Sequence, residues 1–308
     1  MDSVFNTDPN VIYALANLRL HTQSLAQSQS RIASGKRINS AADDPTGLSL
    51  SLGLGSQLRK QTTALQNAQD AISLLQITDG ALASIGNNLQ RIRELTIQMA
   101  NDTNAQNQRN VMAQEVRTLA EDINRLSQAT QFNGITLLDG SATGVLVQIG
   151  PSSAAAVNTV DLTNALSGTV VDGNATGGGL GLINSSGTGA TFDSLNDIYD
   201  PATGLSSGLN TTDAARNFLF DVDRAFDNLN AQRALTGNLQ TQLEATVENI
   251  TLSNVNLAAS KSRIEDLDIA AESSRMVQAQ ILQQAAVTIL GQTSQSQQLI
   301  NALLNNSG

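Results

Sequence analysis

The feature of this sequence that most constrains its fold is one helical pattern that runs from Pro45 to about Ala100. Asp44 can act as its N-cap, and proline suits the first helical position because the first turn leaves that N–H unpaired in any case. At 1.5 Å per residue the helix is about 80 Å long, which exceeds the width of a small domain. Its apolar residues keep three-and-four spacing at Leu75, Leu82, Ile85, Leu89, Ile92 and Met99.

Glycines interrupt this helix at positions 53, 55, 80 and 86. Each costs about 1 kcal/mol against alanine in a helix interior, so packing along the whole length must offset that cost. After the break NDTNAQ, a further helix is predicted from about residue 105 to 129. Its apolar residues are Val111, Leu119, Ile123 and Leu126.

The first helix, over about residues 9–33, carries a narrow seam with a seven-residue repeat. Gly35 fits the left-handed position past its end. The seam is half polar, so this helix would be marginal alone and needs a partner. The seam consists of Val11, Leu18, Leu25 and Ile32, with Leu15, Thr22 and Gln29 on the adjoining row.

The helical period returns at Thr212 and continues towards Ile264. Residues 276–308 then carry no charged side chain, and their many Gln, Ser, Asn and Thr residues exclude a membrane helix. Because its apolar stripe is narrow, this segment is expected to be loose in a monomer and to become ordered in an assembly, with the N-terminal seam as its partner. The stripe consists of Leu282, Ile289, Leu299 and Leu303.

Between the helical arms, short β-branched runs predict a hairpin of Val145–Ile149 with Asn158–Leu162. Residues 166–211 are predicted to form a loop-rich insertion with weak strand content. The expected fold is therefore mainly α: a long antiparallel helical bundle or coiled coil built from both chain ends, with a β-hairpin and a small β- and loop-rich central insertion. Unsatisfied seams at both ends favour head-to-tail contacts, which make filaments when they do not close.

Composition excludes several functions. The net charge is −10 with no Lys/Arg cluster, which argues against nucleic-acid binding, and the absence of cysteine removes thiol chemistry. The first twenty residues lack the basic region of a cleavable signal peptide, and no run is apolar enough to span a membrane. His21 is interpreted as a helix-surface residue, and Asp221, Asp223 and Asp227 as an exposed helix face. The sequence thus predicts no enzyme activity, no cofactor and no metal.

Four motifs in order resemble bacterial flagellin: RIASGKRINSAADDPTGLSLS (31–51), LQRIRELTIQMAN (89–101), TQFNGITLLDG (130–140) and SRIEDLDIAAE followed by AQILQQA (262–285). The resemblance implies a subunit of the extracellular flagellar filament for swimming, exported through the flagellar type III apparatus. It implies as partners the chain itself, an export chaperone, and the cap and junction proteins. It also implies layers: 1–44 plus 263–308 as an inner coiled-coil core, 45–165 plus 212–262 as a surrounding bundle, and 166–211 facing solvent.

The sequence departs from the family pattern at several places. Lys36 and Pro45 stand where apolar or small residues are frequent, LDIAAE lacks a tyrosine, and the chain ends LLNNSG. The alternatives are the hook-filament junction protein of the same family and a surface-displayed adhesin. An enzyme in the insertion would need a cluster of ionisable groups that the sequence does not show.

The stretch LQRIRELTIQMAN is predicted to bury Leu89, Ile92, Leu95 and Met99 and to turn its polar residues outward. The simplest interpretation of the outward side is a solvated face with an Arg91–Glu94 pair. The resemblance implies a second role, because in flagellins that the flagellin-sensing Toll-like receptor of animals recognises, these positions and a Glu on the following helix form the contact surface. The implied surface consists of Gln90, Arg91, Glu94, Leu95 and Glu115.

Overall fold

The computed structural model describes residues 9–142, 144–151, 158–166, 208–209 and 211–305, with side chains described from residue 11 to residue 295. The chain is mainly α, as predicted. Its helices are α1 (Pro9–Ser34), α2 (Pro45–Met99), α3 (Gln106–Ala129), α4 (Thr212–Glu265) and α5 (Ile269–Asn305). The predicted insertion at 166–211 falls almost wholly outside the described residues.

The predicted signals at the first two helix ends are confirmed. Gly35 follows α1 with φ +69°, a left-handed conformation that glycine adopts without steric cost. Asp44 caps α2, since its side chain accepts a hydrogen bond from the Gly47 N–H at 2.8 Å. These two residues define the turn between α1 and α2.

Two antiparallel hairpins follow α3. The predicted one is confirmed as β3 (Leu146–Gln148) paired with β4 (Thr159–Asp161). The sequence analysis missed the other, β1 (Gln131–Phe132) paired with β2 (Ile135–Thr136). Asn133 and Gly134 form its turn with φ of 50° and 81°, the arrangement for which Asn-Gly is the usual sequence.

The chain divides into two compact units: residues 59–254, here the bundle unit, and residues 1–58 with 255–308, here the terminal unit. In the bundle unit, α2 and α4 run antiparallel, as the Arg233–Asp79 (3.0 Å) and Arg93–Asp223 (2.8 Å) ion pairs show. The predicted inner face of α2 is confirmed, because Leu89, Ile92, Leu95 and Met99 are at most 2% exposed.

Val111, one of the apolar residues of α3, is 66% exposed, since α3 turns Ala113 and Val116 to the core. One expectation for the bundle unit was wrong. Asp221 of α4 is 3% exposed instead of solvated. It lies next to the buried Val222, and burial raises the pKa of its carboxyl group.

In the terminal unit, α1 and α5 run antiparallel, with Gln283 Nε2 donating to Thr22 Oγ1 at 3.1 Å and Ser28 Oγ donating to Glu272 Oε1 at 2.8 Å. The predicted seam residues of α1 are partly buried. The second buried row lies at Ala14, His21 and Ser28, one position before the predicted row, whose side chains are exposed. The two most buried residues of this row, Ala14 and Ser28, have small side chains.

Candidate functional site

The outward face of α2 presents an ionic cluster formed with α3. Arg91 donates from Nε (2.9 Å) and Nη2 (2.8 Å) to one oxygen of Glu115, and from Nη1 (3.3 Å) to Glu94. These bonds, first those to Glu115, raise the pKa of Arg91 further above its ordinary value. About half of each of the three side chains remains exposed. The cluster is therefore pre-oriented and open to a partner.

The structure brings together four of the five residues assigned to this surface by the resemblance. Gln90 is exposed beside the cluster, whereas Leu95 is only 2% exposed and packs into the core beneath it. Two apolar side chains flank the cluster on the same helix faces: Ile97, three residues after Glu94, is 52% exposed, and Val111, four residues before Glu115, is 66% exposed. We call Gln90, Arg91, Glu94 and Glu115 with this apolar flank the α2–α3 patch.

The terminal unit offers a second surface. Away from the contact between α1 and α5, both helices keep large apolar side chains exposed, which is unusual for a helix whose outer face meets only water. The side chains of Leu299 and Leu303 lie outside those described. The exposed set, here the outer terminal face, is Ile12, Tyr13, Leu15 and Leu20 on α1 with Val277, Ile281, Leu282, Val287 and Ile289 on α5, all between 40% and 70% exposed.

Sequence reasoning missed a set of polar contacts, here the polar joint, that connects residues 35–37 and Ser51 with residues 265–267 at the end of α4. Glu265, the last residue of α4, is 8% exposed and accepts hydrogen bonds from the Lys36 ammonium and from Ser51 Oγ (2.5 Å). The backbone adds Arg37 N–H to Glu265 O (2.7 Å) and Leu267 N–H to Gly35 O (3.1 Å). The sequence signal for this joint was Lys36, which stands where the resemblance implies an apolar or small residue.

The joint depends on ionised carboxylates. The bonds from Lys36 and then Ser51 lower the pKa of Glu265 to about 2. The amide of Gln27, followed by the Ser40 and Asn39 N–H groups, lowers the pKa of Asp43 to about 2 as well. A hydrogen bond to the charged form stabilises that form, so the joint favours an ionised Glu265, and the neighbouring turn between α1 and α2 favours an ionised Asp43.

A further buried carboxylate lies inside the α1–α5 contact. Glu272 is 2% exposed, accepts the Ser28 hydroxyl, and pairs with Arg275 at 3.2 Å and with Arg31 at 3.8 Å. A charge so placed is tolerated because it is paired and hydrogen-bonded, with partners on both helices.

Comparison with known proteins places the chain. Residues 5–143 match the bacterial flagellin N-terminal helical region, and residues 219–304 match the bacterial flagellin C-terminal helical region. The chain is 32% identical to polar flagellin F of Vibrio parahaemolyticus, an alignment that covers 97% of this chain and 98% of the relative. This chain is a bacterial flagellin. It is also 35% identical to the flagellin of Xenorhabdus nematophila, over 99% of this chain and all of the relative.

Among solved structures, the flagellin is similar to Bacillus cereus flagellin, with 27% identity, a TM-score of 0.43, and coverage of 64% of this chain and 94% of that one. Membership of the family means that this flagellin is a structural subunit of the flagellar filament and not an enzyme. In the part of the chain that the structure describes, no helix is long and apolar enough to cross a membrane.

Proposed function

We propose that this flagellin polymerises through the outer terminal face into an extracellular filament that drives swimming. In this proposal the subunit leaves the cell through the flagellar type III apparatus with an export chaperone and meets the cap and junction proteins during growth. The observation that carries the assembly step is the outer terminal face itself, because α1 and α5 already contact each other and still expose aliphatic side chains all around the pair.

Burial of this face against neighbouring subunits would supply the energy of assembly. Complete burial of one aliphatic side chain contributes about 1.5–3 kcal/mol, so a few side chains on each helix suffice for a stable contact. Because α5 has no charged side chain after Arg275, close packing of several copies of it would bring no like charges together. The proposal includes the filament layers that the resemblance implies. Residues 1–44 and 263–308 would form the inner core, residues 45–165 and 212–262 would surround it, and residues 166–211 would face solvent.

Ile281→Asp tests this assembly surface. Ile281 is 60% exposed, so the variant should keep the α1–α5 pair, but a desolvated charge in the filament should raise the critical concentration by about 100-fold. Ile281→Leu, which keeps the apolar volume, is the matched control and should elongate normally. Electron microscopy of depolymerised protein added to filament seeds gives the readout.

The outcomes separate the alternatives. Elongation of Ile281→Asp at the parent rate would refute the outer terminal face as the assembly surface. If the parent protein itself remains monomeric or stops after a ring or two, the junction protein or an adhesin becomes the better assignment.

We further propose that the free subunit is recognised by the flagellin-sensing Toll-like receptor through the α2–α3 patch. The exposed Arg91–Glu94–Glu115 cluster favours this, because a pre-oriented set of charged groups costs little ordering when a partner binds. Polymerisation is proposed to cover the patch, so intact filaments should be inactive.

Arg91→Ala should weaken receptor activation by the free subunit at least tenfold, while the free energy of unfolding changes by less than about 1 kcal/mol because the pair is exposed. Arg125→Ala is the matched control, since Arg125 is 70% exposed and pairs with Asp122 on α3. A cell reporter assay and urea titration give the two readouts. Equal activation by both variants would show that the patch is not the receptor site.

A further inference from the structure

At one position along the length of the bundle unit, here called a level, α2 and α4 each contain a glycine inside the helix. A Cβ added at Gly80 of α2 or at Gly237 of α4 would meet nothing within 4 Å. At Gly86, by contrast, an added Cβ would lie 3.1 Å from Leu229 Cδ2, so close packing explains that glycine. Packing within the chain does not explain Gly80 or Gly237, although glycine weakens a helix relative to alanine.

The two positions share a level because α2 and α4 run antiparallel and Asp79 pairs with Arg233. At this level the core contains Thr78 and Thr236, both 0% exposed. The Thr78 hydroxyl donates to Leu74 O at 2.9 Å, and the Thr236 hydroxyl donates to Gln232 O at 3.0 Å. Each threonine therefore donates to its own helix and not across to the other.

The glycine carbonyls show the same pattern on both helices. Ser84 Oγ donates to Gly80 O at 3.2 Å, and Thr241 Oγ1 donates to Gly237 O at 3.0 Å. A hydroxyl that shares a helical carbonyl with the backbone N–H weakens the ladder locally and favours bending. Glycine with serine is a recurrent cause of helix kinks.

We propose that α2 and α4 bend together at this level, as a paired hinge formed by Gly80, Ser84, Gly237 and Thr241. The position is suited to bending. Glu115 lies opposite Arg91, so the stretch from Gly80 to Ser84 lies beside the last two turns of α3, which ends at Ala129. Only the end of α3 must therefore follow a bend of α2 and α4 there.

The function that we assign to the hinge depends on the proposed polymerisation. A subunit whose bundle can curve without breaking core contacts can fit neighbours at slightly different angles, so the filament can adopt a range of curvatures. Cores resist continuous deformation, so motion must be taken up at such weak levels.

The double variant Gly80→Ala with Gly237→Ala tests the hinge, since both positions have space for a methyl group. In the parent monomer, amides 78–84 and 235–241 should exchange hydrogen faster than the flanking turns of the same helices. The double variant should slow exchange at each site about fivefold and narrow the distribution of filament curvature in electron micrographs. Gly53→Ala, at another open glycine of α2, is the control and should leave both readouts at this level unchanged.

Three results would overturn the hinge: parent exchange at this level as slow as in the flanking turns, unchanged filament curvature in the double variant, or loss of polymerisation by the double variant alone. The last result would mean that a neighbouring subunit packs on the glycines. Failure of the parent to polymerise would instead count against the proposed function, while the exchange measurement on the monomer still decides the hinge.

Discussion

Phe218→Ala should destabilise the bundle unit by about 3–5 kcal/mol, a large part of the stability of an ordinary domain. Phe218 is 0% exposed, and it is the one aromatic side chain among the fully buried core residues that the structure describes. Its neighbours are close-packed core residues, which relax only partly into the space that the ring leaves. This loss is the sum of two terms: the free energy gained by burying the ring and the free energy of the cavity that its removal leaves.

Phe220→Ala is the matched control, two residues further along α4. Phe220 is 69% exposed, so its removal should change the free energy of unfolding by no more than about 0.5 kcal/mol. Urea unfolding of the free subunit, followed by circular dichroism, measures both variants under one protocol. Similar losses for the two variants would contradict the inward orientation of Phe218.

The long helices could be predicted from the sequence because their signals are local. Three-and-four spacing placed Leu89, Ile92 and Met99 in the core, and the capping residues placed the ends of α1 and α2. These signals depend only on residues within a turn or two, where helix geometry fixes which side chains share a face.

The second buried row of α1 was not predictable in the same way. Two of the three residues in the predicted second row, Thr22 and Gln29, are polar, so the hydrophobic pattern does not distinguish a row at Leu15 from one at Ala14. The partner helix decides, because Ala14 and Ser28 let α5 approach and Leu15 then turns outward, 40% exposed. Those residues assigned to the assembly seam whose side chains the structure describes therefore divide between the α1–α5 contact and the outer terminal face, and their role in assembly stays a proposal.

The candidate site was predictable from spacing only where its parts lie on the same helix. Arg91 and Glu94 could be paired from their spacing, whereas the position of Glu115 came from the resemblance. The polar joint could not be anticipated, since Ser51 and Glu265 are 214 residues apart. No local pattern records a contact of that kind.

Lowering the pH should destabilise the polar joint before it destabilises the apolar core of the bundle unit. The folded-state pKa of Glu265, about 2, lies below its ordinary value of 4.5, so its ionised form contributes stability that is fully present above pH 4.5. That stability is lost as the pH falls from 4.5 through about 2. Asp43 acts in the same direction, with a pKa lowered from 3.8 to about 2.

Glu265→Gln removes the charge at constant size. The variant should lose about 1.5–3 kcal/mol from the terminal unit at pH 7, the usual contribution of hydrogen bonds to a charged group, and should no longer show the acid transition of Glu265. Hydrogen exchange of the amides near the joint, 32–38 and 262–270, followed from pH 7 to pH 2 and corrected for intrinsic rates, measures both effects.

Glu248→Gln, on the exposed face of the same helix, is the matched control and should follow the parent at every pH. Lys36→Met provides the reciprocal test, because without the ammonium the pKa of Glu265 should rise towards 4.5 and the acid transition should move with it. If Lys36→Met leaves the transition where it is in the parent, the ion pair does not hold the joint. Ser51 and the backbone bonds between residues 35–37 and 265–267 would then suffice to keep the chain ends in register.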